Sequence, residues 1–208
     1  MAGLFITFEG SEGCGKSTHI KRLKEYFEAQ GRECVLSREP GGTPLAEKIR
    51  DLLLHAKEGD GMPSRTEILL FEAARADHVE RKIKPALAED KVVICDRFYD
   101  STSAYQGAAR QISSDDVDAL NKFATGGLEP TLTVVLDIDV EVGLERAAKR
   151  DDGKTDRMGA EKIDFYKKVR EGFLNLAKNN PRFAVVDSSG TADETFEKII
   201  KAVEDKIK

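Results

Sequence analysis

Eight residues near the start of the chain, Gly10-Ser11-Glu12-Gly13-Cys14-Gly15-Lys16-Ser17, satisfy the pattern G-x-x-x-x-G-K-[ST] at every fixed position. These residue types suit one task, holding the phosphates of a nucleoside triphosphate. Glycines let successive backbone N–H groups turn toward phosphate oxygens, and a helix starting there adds partial positive charge. Lys16 can reach the β- and γ-phosphates, the Ser17 hydroxyl can ligate Mg²⁺, and Thr18 completes the candidate ATP-binding set. A second group lies at Val92-Val93-Ile94-Cys95-Asp96-Arg97. A carboxylate at the C-terminal end of a buried parallel strand stands where such sheets bind ligands, so Asp96 is a candidate for the Mg²⁺ shell. The guanidinium of Arg97 suits bidentate capture of phosphate. A third stretch, about 146–160, holds Arg146, Lys149, Arg150, Asp151, Asp152, Gly153, Lys154, Asp156 and Arg157 with almost nothing to bury. It reads as a mobile basic lid closing over phosphates, with a solvated loop as the alternative.

These groups need a frame. Apolar runs at Leu4–Glu9, Cys34–Arg38, Val92–Asp96, Leu132–Asp137 and Phe183–Asp187 are short, rich in Val, Ile, Leu and Phe, and not alternating. That pattern predicts strands buried on both faces. Ile20, Leu23, Tyr26 and Phe27 predict a helix over about 16–30, directly after the phosphate loop. Thr43-Pro44 places a capping hydroxyl before a proline at a first helical position. Ser64-x-x-Glu67 reads as a capping box opening a long helix over 64–90, with Pro85 bending or breaking it. Ser114, Asp115 and Asp116 open another helix that ends at Gly126-Gly127. Strand–helix alternation of this kind predicts an α/β fold of the P-loop NTPase type, in which a five-stranded parallel sheet lies between helical layers and carries a small lid.

The 208 residues suit a single domain, with no internal repeat or linker. Net charge is −5, which argues against a general nucleic-acid binder needing a broad basic stripe. No apolar run approaches the ~20 residues of a membrane span, and the first strand begins too soon for a signal peptide. Cys14, Cys34 and Cys95 lack metal-site spacing; Cys34 and Cys95 read as small core residues, and the expected location is a reducing cytoplasm. His19, His55 and His78 are scattered and read as surface or helix residues rather than ligands.

Further segments carry a family resemblance. The run from Val93 through Asp96-Arg97-Phe98-Tyr99-Asp100-Ser101-Thr102-Ser103-Ala104-Tyr105-Gln106 resembles the signature segment of thymidylate kinases. So do Arg38-Glu39-Pro40-Gly41-Gly42-Thr43, Leu70-Phe71-Glu72-Ala73-Ala74-Arg75-Ala76-Asp77-His78, and Leu136-Asp137 followed by Gly143-Leu144-Glu145-Arg146. With the phosphate loop, the resemblance covers nearly the whole chain in order. It implies transfer of the γ-phosphoryl group of ATP to dTMP with Mg²⁺, and a homodimer packed through helices. Such chemistry requires no general base, because a phosphate monoester with a second pKa near 6 is already largely an oxyanion at neutral pH. It requires two polyanions brought into line and their charge neutralised.

The resemblance implies a dTMP-binding set. Phe71 would stack on thymine, Arg75 would bond a base carbonyl, and Ser101 and Thr102 would meet the base edge. Tyr105 would crowd the sugar 2′ position, Gln106 would line the same pocket, Glu12 would approach the acceptor sugar, and Arg38 would contact the acceptor phosphate. Lys16, Arg97 and the lid arginines would carry catalysis. The loop has no basic residue between Gly10 and Gly15, so the chain is similar to the bacterial kind with its catalytic arginine in the lid; Arg150 is the first candidate and Arg146 the next. Relatives often follow the Asp156-Arg157 pair with a large residue and then Glu, whereas Met158-Gly159 stands here. Glu161 and Tyr166 are possible substitutes for whatever acceptor role is lost. Two other readings remain at this point: another nucleoside monophosphate or deoxynucleoside kinase, for which Glu9 or Glu12 would serve as base, and a GTPase-type switch. Against the switch, Asn121-Lys122-Phe123-Ala124 lacks the Asp of a guanine-reading motif.

Overall fold

Each of the five apolar runs folds as a strand over the expected bounds. In the computed structural model, which describes residues 3–150, 156–159, 161–178 and 180–207, these are β1 (Leu4–Glu9), β2 (Cys34–Arg38), β3 (Val92–Asp96), β4 (Leu132–Asp137) and β5 (Phe183–Asp187). Asp151, Asp152, Gly153 and Lys154 of the basic stretch lie outside the described residues. All pairings are parallel and the sheet order is β2-β3-β1-β4-β5. Burial holds along all of β1 and along the central strands β3 and β4 up to their terminal aspartates, Asp96 and Asp137. The flanking β2 and β5 depart from it, with nearly all of their residues partly buried or exposed. An edge strand has one neighbour, and continuous hydrophobicity does not tell it from a central one.

Helices cover both faces. Leu4, Ile6 and Phe8 of β1 pack with Ile20, Leu23 and Phe27 of α1 (Lys16–Ala29) and with Ile199 and Val203 of α9 (Ala192–Ile207). The alternate residue Phe5 faces the other way, against Val79, Ile83 and Phe98. That second layer contains α2 (Pro44–Leu54), α3 (Ser64–His78), α4 (Lys84–Ala88), α5 (Tyr99–Thr102), α6 (Ser114–Thr125) and α8 (Ile163–Ala177); α7 (Val140–Arg150) follows β4. No helix among the described residues is long and apolar enough to cross a membrane.

Local signals fared unequally. Thr43 caps α2 by accepting the Ala46 N–H at 3.2 Å, with Pro44 in the first turn. The residue bounding α3 is Pro63, so Ser64 is already helical and its hydroxyl makes no cap; Glu67 has been drawn into the interior instead. Pro85 does not end the helical path. A wide π turn over Val79–Ile83 precedes α4 and absorbs the missing N–H of the proline. The cap position of α6 is Ser113, one residue before the expected start, and Gly126 closes that helix in the left-handed conformation. His19 and His78 lie in helices, one of the two expected settings, and both are buried: His78 is fully enclosed and bonds Glu39 and Ser37, and His19 sits beside Phe196. Cys95 is buried while Cys34, on the edge strand, is only partly so; all three thiols are free.

Candidate active site

The phosphate loop leaves β1 at Glu9 and enters α1 through Gly15, whose φ of 94° is left-handed and suits glycine. Gly13, at φ 69°, lies so near α7 that a Cβ there would stand 1.9 Å from the Gly143 carbonyl oxygen. The loop and α7 therefore meet backbone to backbone. Lys16 lies folded over its own loop, its Nζ donating to the Gly10 and Ser11 carbonyls at 3.2 and 3.0 Å and to Cys14 Sγ at 3.5 Å.

Asp96 ends β3 beside Phe8 of β1, which brings its Oδ2 within 3.5 Å of Ser17 Oγ. A hydroxyl and a carboxylate at this separation are hard oxygen donors of the kind Mg²⁺ takes when substrate phosphates and water supply the rest. Arg97 is left-handed at φ 68°, costly for a residue with a Cβ, and is held there by its N–H bond to the Phe8 carbonyl at 2.9 Å. Its guanidinium returns across the loop, giving Nη1 to the Gly10 carbonyl (3.0 Å) and Nη2 to Glu12 Oε1 (2.6 Å), and lies 5.1 Å over the Tyr105 ring.

The charges are mutually tuned. Burial opposes the charge of Arg97, but the Tyr105, Glu12, Glu9 and Asp96 groups around it hold it firmly protonated. Burial likewise pushes the Glu12 carboxyl up, yet Arg97, Lys16 and Arg150 outweigh this and hold it below the usual range. Glu9 goes the other way: burial, reinforced by Asp100, lifts it to about 8 although it accepts bonds from the Phe98 N–H and the Ser101 hydroxyl.

The facing wall belongs to α3 and the turn after Arg97. Phe71, half-buried, and Arg75 lie one helical turn apart. Arg75 is fixed before any ligand arrives: Nε donates to Glu39 at 2.8 Å, and Nη1 to Glu72, to Thr102 at 3.0 Å and to Asn121 at 3.3 Å. Among the described residues the buried Tyr105 hydroxyl finds no hydrogen-bond partner, and burial raises its pKa. Gln106 gives its amide N–H to Glu67 at 2.8 Å.

One cavity of about 1190 Å³ joins these walls. That exceeds the ~300–1,000 Å³ usual for one small ligand and leaves room for two substrates. Glu12, Gly13, Gly15, Lys16, Ser17 and Thr18 line it, as do Arg38, Phe71, Arg75, Asp96, Arg97, Ser101, Thr102, Tyr105 and Gln106. Arg146 and Arg150 of α7 close the far side. Arg146 leans on the Ser188 carbonyl at 3.4 Å, while Lys149 points outward to Glu145. Gly10, Ser11 and Cys14 are the exceptions, buried behind the loop rather than on the cavity wall. Glu39 and Arg50 line the cavity unforeseen, and no sequence pattern marks Arg50. Met158, Gly159, Glu161 and Tyr166 are also on the wall, so the departure after Asp156-Arg157 does not remove that stretch from the site.

The family model described as thymidylate kinase matches residues 8–199. A thymidylate kinase of Geotalea daltonii is 49% identical over 207 residues, covering 97% of this chain and 96% of that protein. One from Bacillus anthracis is 45% identical over 208 residues, with 100% of each chain covered. Among solved structures, a thymidylate kinase from Ehrlichia chaffeensis superposes with a TM-score of 0.79 at 36% identity, over 98% of this chain and 100% of that one.

Proposed function

The chain belongs to the thymidylate kinase family, and on that premise we infer that it transfers the γ-phosphoryl group of ATP to dTMP, giving dTDP. The observation that carries this reading is the single cavity with a phosphate loop on one side and Phe71, Arg75 and Thr102 on the other. ATP lies with its phosphates on the loop, where Lys16 leaves its own carbonyls for phosphate oxygens. Arg97, bonded to Glu12 of the loop and lying over the Tyr105 ring of the facing wall, spans the point where the two phosphates meet. The acceptor oxygen is already anionic, so the raised carboxyl of Glu9 has no proton to remove and serves to hold Phe98 and Ser101 in place. Ser17 and Asp96 would hold Mg²⁺, which would supply charge neutralisation between the polyanions.

On the acceptor side Phe71 stacks on thymine, Arg75 and Thr102 meet the base edge, and Tyr105 and Gln106 close the sugar side, with Glu12 near the sugar and Arg38 near the phosphate. Arg150, last residue of α7, is the arginine of the transition state, since it lines the cavity while Arg146 leans on the Ser188 carbonyl. The chain is one nucleoside monophosphate kinase domain with a lid of approximately 146–160, which starts in the last turn of α7 and includes residues outside the described ones. The protein works in the cytoplasm, as its three free thiols suit. It pairs as a homodimer, a reading to which the exposed apolar side chains of Leu69 on α3 and Phe123 on α6 (87% exposed) lend support.

Initial rates with ATP, Mg²⁺ and a panel of acceptors test this reading. The expected order puts dTMP far ahead of thymidine and of the purine monophosphates. A preference for thymidine over dTMP overturns it.

A further inference from the structure

Glu67 does none of the work its sequence position suggested. Its carboxylate is buried and its oxygens are divided between two parts of the molecule. Oε1 accepts from Gln106 Nε2 at 2.8 Å, and Oε2 accepts from Arg157 Nη1 at 2.6 Å. Arg110 spans both at 3.4 and 3.5 Å, and its Nη2 also reaches Glu161 at 2.6 Å. Burial alone would raise the Glu67 carboxyl, but Gln106, Arg157 and Arg110 together hold it below the usual carboxylate range. It is a charged group in the interior, retained only because each oxygen is satisfied.

The two sides it joins both belong to the cavity wall. A carboxylate only accepts, so Glu67 decides which end of the Gln106 amide is turned away from it. Arg157 is anchored at its other edge, Nε to the Leu53 carbonyl at 2.7 Å and its backbone N–H to the Leu54 carbonyl at 3.2 Å. The turn at 156–159 is completed by Asp156 accepting from the Gly159 N–H at 2.7 Å and by Tyr166 donating to the Met158 carbonyl at 2.8 Å. Asp156, Met158 and Gly159 face the cavity from this turn, as Gln106 does from the opposite element. No bond joins Gln106 to Arg157 directly among the described residues; the link runs through Glu67.

We propose that Glu67 is a positioning residue that holds Gln106 and the turn bearing Arg157 in one fixed relation, so that acceptor-nucleotide affinity depends on both ends of the link together. The inference rests on the acceptor-site reading given above, and the test separates the two. Calorimetric titration of dTMP into the full-length protein is carried out for wild type, Gln106→Ala, Arg157→Lys and the double variant, then repeated with Glu67→Gln as background. Either single change loosens the shared link, so the double variant is expected to bind at least about threefold better than the product of the single losses, within the range of coupled neighbours. With Glu67→Gln the two effects become independent within about twofold. A merely structural Glu67 would lower the stoichiometry, which counts folded sites, and leave Kd unchanged. Independent effects of Gln106→Ala and Arg157→Lys in the wild-type background overturn the proposal, and that arm decides even if Glu67→Gln fails to fold. Failure of wild type to bind dTMP overturns the acceptor-site reading instead.

Discussion

Replacing Gly143 by alanine should disable the enzyme without unfolding it. The Cβ would stand 2.5 Å from the Glu12 carbonyl oxygen and 3.3 Å from Ile138 Cγ2, where ordinary contact begins at 3.4 Å. Glu12 is in the phosphate loop, tied by Arg97, and Gly13 beside it already touches the Gly143 carbonyl region. Neither backbone can yield locally, so α7 must move off the loop by roughly 0.9 Å, the difference between those distances. A helix moves as a unit, and the shift reaches Arg146 and Arg150, which face the cavity one and two turns later. Misplacing a positioned group by about 1 Å can cost on the order of a hundredfold in rate, or ~2.7 kcal/mol of barrier. Alanine in a helix is itself favoured over glycine by about 1 kcal/mol, which opposes general destabilisation. Initial rates of ADP formation at saturating ATP and dTMP should show kcat reduced about ten- to a hundredfold, with dTMP affinity within about threefold. A kcat within about twofold of wild type refutes the geometric reasoning.

Arg150→Ala should lower kcat by about 10²–10³-fold, the usual cost of losing a transition-state donor, and spare dTMP affinity; single-turnover rates and dTMP titration separate the two. Tyr105→Ala should raise the specificity constant for the ribose analogue relative to dTMP, and an unchanged ratio removes Tyr105 from sugar selection. Glu9 carries a carboxyl raised from 4.5 to about 8 by burial, so the native state binds more protons than the unfolded chain between these values. Its contribution to stability is complete below the lower value and is lost as pH rises to about 8. Urea unfolding of wild type and Glu9→Gln across that window should show wild type losing stability relative to the variant, and a pH-independent difference contradicts it. Asp96→Asn should raise the Mg²⁺ concentration for half-maximal activity about tenfold, measured by Mg²⁺ titration after chelation.

The five strands could be read from the chain because unbroken runs of branched and aromatic residues have few other uses at that length. Residues close in sequence were equally legible: the phosphate loop, the Thr43-Pro44 start, the Asp96-Arg97 pair. What escaped depends on contacts between distant segments. Glu67 resembles a cap until Arg110 and Arg157 arrive from 43 and 90 residues away. His78 is buried because β2 brings Ser37 and Glu39 against it, and its helix position alone does not reveal that. The exposure of β2 and β5 follows from strand order, which composition does not carry. Arg50 reaches the cavity only because α2 folds over the Pro40 carbonyl.

The strand order has a consequence for how the chain acquires its activity. β1 is made well before the strands that flank it in the sheet, β3 and β4; Thr7 waits for Thr133, 126 residues on, and Glu9 for Phe98, 89 residues on. Closing loops of that size before any pairing rewards them slows folding. Until β3 and β4 flank it, β1 is an apolar segment with both hydrogen-bonding edges open. The phosphate loop, though specified by a short run of consecutive residues, is thus a late product of assembly, and the onset of kinase turnover during refolding should coincide with completion of the central sheet.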